Sequence, residues 1–168
     1  MSLMTILAAA QNGNYFANVA KACGLGAGET KSAPSSIFPA VAKQLRAKTE
    51  SDHDSFEALL DLLDDGGDSS DLDDAEAVTG AESISDGNAV LKDIYGSSAA
   101  ALAEMKKLAP SLDGTPLQNV SAIGATSVLA ALAKTYSAPA TLAYAPQARS
   151  QAPHPHTFAQ RYFWANSR

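Results

Sequence analysis

The chain has 168 residues, 46% of them apolar, with a formal net charge of −6 and a single cysteine. That length can bury a core without metal or disulfide support, and the lone Cys23 excludes an internal disulfide and fits a reducing, cytoplasmic setting. The charge is concentrated, with 14 acidic residues and no Lys or Arg from Glu50 to Asp86, while the rest holds four acidic residues against all 12 basic ones. So dense an acidic block repels phosphate backbones and counts against general nucleic-acid binding.

Helical periodicity dominates from the first residues. MSLMTILAAAQNG contains a short apolar run without a basic start, so it reads as neither signal peptide nor membrane anchor. Leu3, Ile6, Leu7 and Ala10 share one face of a first short helix, and Phe16, Val19, Ala20 and Cys23 repeat the spacing with Tyr15 beside them. Gly24 predicts a left-handed helix end, with Leu25 as its apolar contact. GETKSAPSSIFPAVAKQLRAK reads as a helix broken or kinked at Pro34 and Pro39, since each proline removes a backbone donor. Phe38, Val41, Ala42 and Leu45 form its inner stripe.

Ser51-Asp52-His53-Asp54 has capping-box spacing before Phe56, Leu59, Leu60 and Leu63. From Asp64 to Ser85 the composition predicts a flexible acidic insertion. Helical signals return in DGNAVLKDIYGSS, residues 86–98. Here Asp86 is expected to cap a helix whose inward face is Val90, Leu91, Ile94 and Tyr95, with Gly96 ending it and Ser97 or Ser98 starting the next. After Pro110 and Gly114 comes a long Ala-rich helix from about Thr115 to Tyr136. Residues 114–133 carry no charge, which predicts the central, most buried element rather than a membrane span. Residues 137–168 read as an Ala/Pro-rich linker and a tail containing the aromatic segment FAQRYFW.

The expected fold is all-α: a multihelical orthogonal array of about six to eight short helices over residues 1–136, with the acidic loop and an irregular C-terminal tail. Two helix-then-glycine units, ending at Gly24 and Gly96, echo one another, and the echo leaves an internal duplication open.

Sites of catalytic or ligand-binding chemistry find little support. CGLGAGE follows a helix rather than a strand, which suits a cap and turn better than a phosphate loop. The acidic loop fails the calcium pattern: counting from Asp61 puts Gly66 sixth but Leu63 third and Leu72 twelfth. His154 and His156 lack third and fourth metal ligands, and Cys23 has core spacing without an indicated base. No catalytic residue, metal or cofactor is assigned, and no enzyme activity is expected.

At residues 87–97 the sequence resembles the bacterial domain-of-unknown-function family 937, the YidB-like proteins. Gly87-Asn88 followed by an apolar helix ending Ile94-Tyr95-Gly96-Ser97 carries the resemblance. QNGNYFANVAKACGLGAGET and IFPAVAKQL match the family's N-terminal half. Residues 121–125 stand at its second Leu-Pro helix without the proline, and Lys92-Asp93 replace a Gly-His pair. The resemblance covers about residues 1–136 and implies a multihelical domain with no established activity.

The expected function is therefore a non-enzymatic protein–protein interaction or self-association module. Phe158, Arg161, Tyr162, Phe163 and Trp164 are the candidate interaction residues. The alternative is a nucleic-acid-binding helix-turn-helix-like protein regulated by its acidic loop, using Lys21, Lys31, Lys43, Arg46 and Lys48.

Overall fold

The computed structural model describes residues 2–55, 57 and 71–137, and among them there is no strand. Helix α1 spans Leu3–Ala9 and starts at Ser2, whose hydroxyl accepts the Thr5 amide at 3.3 Å. It buries Leu7, and Ala10 is buried just beyond it, on the predicted face. A 3₁₀ turn, Ala10–Gly13, leads into α2, Tyr15–Cys23. Helix α2 ends as expected at Gly24, which adopts φ 67°. The Leu25 amide then reaches back to the Ala20 carbonyl at 2.8 Å, and Leu25 packs against the core.

Helix α3, Glu29–Ser51, runs unbroken through Pro34 and Pro39, so of the break or kink expected there the break is ruled out. Its stripe of Ala33, Ile37, Phe38, Val41 and Leu45 is buried. Burying those five side chains, at about 1.5–3 kcal/mol for each large one, outweighs the cost of two prolines at roughly 3 kcal/mol each. The predicted capping box also shifts. Ser51 completes α3, and the Asp52 carboxylate accepts from the Asp54 amide and, at 2.6 Å, from the Ser55 hydroxyl. The apolar residues expected to follow, Phe56, Leu59, Leu60 and Leu63, lie outside the described residues.

The expected acidic insertion is helical over the part the structure describes. A 3₁₀ turn, Asp71–Asp73, buries Leu72 completely, and α4, Ala75–Thr79, buries Val78. Asp74 caps α4, its carboxylate accepting the Glu76 and Ala77 amides at 2.9 and 3.4 Å. The acids that suggested a loop thus supply helix starts, and two apolar residues anchor them.

Helix α5, Ala81–Tyr95, begins five residues before Asp86. Asp86 is therefore not the cap predicted for it; it lies inside the helix and is buried. The helix faces the core through Ile84, Gly87, Val90, Leu91 and Ile94, close to a 3.6-residue repeat. Ser97 caps α6, Ser98–Leu108, by accepting the Ala100 amide at 3.1 Å. The turn after α6 is clasped by Lys106, whose ammonium donates to the Pro110 and Leu112 carbonyls, both at 2.9 Å, and pairs with Asp113.

Helix α7, Gly114–Ser137, is the axis of the fold and touches α1 through α6. Val120, Ala122, Ile123 and Ala125 are fully buried, as its charge-free sequence predicts. It is long and apolar enough to cross a membrane by length and composition, but 72% of that stretch is buried inside the fold. Helix α5 makes its most extensive packing with α7, and Gly87 sets their separation. A Cβ there would stand 2.5 Å from the Ala122 carbonyl carbon and nearer still to its oxygen.

Gly87→Ala must push α5 and α7 apart. We expect it to lower stability by about 1–3 kcal/mol even though alanine is the better helix former. The exposed neighbour Ser85→Ala should stay within about 0.5 kcal/mol of the wild type in the same urea denaturation.

Candidate functional site

The most distinctive local backbone joins α1 to α2. Gln11 and Asn12 both lie in the left-handed region (φ 53° and 56°), and Gly13 follows at φ 84°. Successive left-handed non-glycine residues are costly, by roughly 1–2 kcal/mol each. The Gln11 side chain shows what holds them. Its carbonyl oxygen accepts from the Asn18 amide at 2.7 Å, and its own amide donates to the Leu72 carbonyl at 3.3 Å. The turn is thus tied both to α2 and to the 71–73 segment. The Asn12-Gly13 pair between two helical patterns is the sequence signal for this turn.

Beside the turn lies a groove of about 400 Å³, lined by Met4 and Ala8 of α1, Gly13, Phe16 and Ala17 of α2, and Thr30, Lys31 and Ser35 of α3. The α1–α2 wall is apolar and the α3 wall polar. Lys31 makes no ion pair among the described residues. Pro34 and Pro39 remove the amides that would normally bond, four residues back, to the carbonyls of Thr30 and Ser35.

The groove is rigidly backed. Phe16 packs edge-on against Tyr15, with ring centres 5.2 Å apart, and Tyr15 packs against Phe38 at 6.4 Å. The Tyr15 hydroxyl donates to Ser127 Oγ of α7 at 2.5 Å, wholly buried. The Phe38 ring in turn fills the space that a side chain at Gly124 would need. A chain of ring contacts therefore runs from the groove wall to the central helix. Burial holds the Tyr15 hydroxyl well above its ordinary range, only partly offset by the hydrogen bond to Ser127. Burial also pushes the Cys23 thiol up to about 11, so at neutral pH it is a small apolar residue and not a nucleophile.

The remaining candidates are dispersed. Among the described residues, no three His, Cys, Asp or Glu side chains gather as a metal would require. His53 is exposed beside Glu57. Of the five cations in the N-terminal half, Arg46 pairs with Glu50 at 2.7 Å and Lys48 with Asp52 at 3.5 Å. Lys21, Lys31 and Lys43 are exposed. Phe158, Arg161, Tyr162, Phe163 and Trp164 lie outside the described residues, as do His154 and His156. The groove itself was not anticipated, because it arises where three helices meet.

The family model for a bacterial protein of unknown function, DUF937, matches residues 5–135. The chain belongs to this family. No curated protein and no solved structure matches it. The match runs from within α1 through nearly all of α7, so the groove lining other than Met4, and its backing, fall within the family domain, and the aromatic segment lies beyond it.

Two outcomes are expected. Asn12→Gly should stabilise the protein by about 0.5–1 kcal/mol by relieving a left-handed residue, whereas Gln11→Ala should cost about 1–2 kcal/mol by removing the tether, both read by urea denaturation. Alkaline pH should destabilise the fold. Tyr15 and Cys23 hold their protons more tightly when folded, so their contribution is complete below their unfolded values, near 9 for the thiol and 10 for the phenol. It is lost as pH rises above them. Cys23→Ala should flatten the decline between about pH 9 and 11, and Tyr15→Phe the part above about pH 10.

Proposed function

We propose that this protein is a non-enzymatic module that binds other proteins, copies of itself included, through the groove between α1, α2 and α3. The observation that carries this reading is the groove's make-up: a half-buried thioether and aromatic wall opposite an exposed cation and hydroxyls. Met and aromatic side chains are enriched where proteins meet. An open apolar surface with a polar rim fits a peptide segment better than a substrate that must be sealed from water.

A photo-crosslinking phenylalanine analogue at position 35 of the full chain, in its own bacterial host, tests this. It should yield discrete protein adducts. Ala17→Arg, which fills the groove from an exposed position, should abolish them, while Ser85→Ala should not. Adducts that survive Ala17→Arg, or the absence of any protein adduct, would overturn the reading.

A further inference from the structure

The place where the chain leaves the described fold bears on the groove. Lys134, in the last turn of α7, pairs with Asp73 at 2.5 Å. The neighbouring Leu72 carbonyl is bonded by Gln11, two residues from groove-lining Gly13. The C-terminal end of α7 and the turn at the groove's edge therefore share one corner of the molecule. Beyond Ser137 the chain has no acidic residue, and residues 158–164, FAQRYFW, hold four aromatic rings. Twenty residues separate Ser137 from Phe158. A chain of that length can span at most about 70 Å when fully extended.

The groove's chemistry asks for an aromatic ring. The Met4 sulfur, the Lys31 ammonium and the Phe16 ring are three different groups, and each gains specifically from an aromatic partner. Cation–π attraction is strongest for tryptophan, and Trp164 is the only tryptophan in the chain. No acidic residue lines the groove, so nothing in it selects for a basic ligand over an aromatic one.

We propose that the groove is the receptor for residues 158–164 of the same chain, with Trp164 seated between Met4, Phe16 and Lys31. This rests on the reading of the groove as a protein-binding surface and names its resident ligand. A tethered segment reaches the groove at an effective concentration near millimolar, so the same chain outcompetes a second copy at micromolar protein. An outside partner then binds by displacing the tail.

Because Trp164 is unique, the intrinsic fluorescence of the full chain reports on the tail directly. Docking buries most of the ring's surface, so acrylamide quenching should be about threefold or more weaker than for free N-acetyltryptophanamide. The shielding should stay constant from about 0.1 to 50 µM protein, as an intramolecular contact requires. Ala17→Arg should restore free quenching while leaving the circular dichroism and melting temperature unchanged, and Lys31→Ala should weaken the shielding. Quenching equal to that of the free amide would overturn the proposal. So would shielding that grows with concentration, which would place the tail in a second copy, and shielding that survives Ala17→Arg, which would place it elsewhere. A freely quenched Trp164 together with position-35 protein adducts would refute tail docking alone; loss of both would refute the protein-binding reading as well.

Discussion

The contact between α5 and α7 at Gly87 and Ala122 governs the rest of the structure. With no side chain between them, the two backbones meet at a distance that no other residue at position 87 permits. That closeness brings Val90, Leu91 and Ile94 into the core and aligns Ser83 with Thr126, whose hydroxyls share a hydrogen bond at 3.0 Å. It also leaves α7 free to receive α3 on another side. There Gly124 makes room for the Phe38 ring, as Gly87 makes room for a helix. A central helix approached from several directions must be small where neighbours come near and charge-free throughout, and residues 114–133 meet both demands.

The polar groups inside this core are few and matched. Tyr15 with Ser127, Ser83 with Thr126, and Ser121 with the Leu117 carbonyl each satisfy a hydroxyl that would otherwise be costly to bury. Among them, the Tyr15 bond joins the peripheral α2 to the axis and so fixes Phe16 on the outer side of α2. The groove is thus a by-product of core packing. Its apolar wall is the back of residues whose neighbours are buried, and its polar wall is the exposed start of a helix held in place by Ile37 and Phe38.

Local sequence rules succeeded where one element decides its own fate. The Gly24 cap, the face of α1 and the depth of α7 were all legible, because periodicity and left-handed glycine are properties of a few consecutive residues; on α2 the fully buried ring is Tyr15, and Phe16 is only half-buried. They failed at Asp86, Pro34 and residues 71–85. Asp86 looks like a cap because carboxylates favour helix starts, yet the packing of Ile84 and Gly87 against α7 extends the helix past it. The prolines look like breaks, yet α3 continues through them, its buried stripe holding the helix to the core. The acidic stretch looks unstructured by composition, yet Leu72 and Val78 are enough to dock it. As for the groove, only the aromatic and cationic residue types were visible in the sequence, not their juxtaposition.

The sequence by itself determined an all-α fold, its central helix and its family, since these depend on spacing and composition within single segments. Tertiary structure decided where helices begin, which glycines matter and where a ligand can lie. Those outcomes depend on distances between residues far apart in the chain, such as Gly87 to Ala122, Tyr15 to Ser127 and Gln11 to Leu72. A burial gain of a few kcal/mol at such contacts overrides the weaker local preferences that a sequence displays.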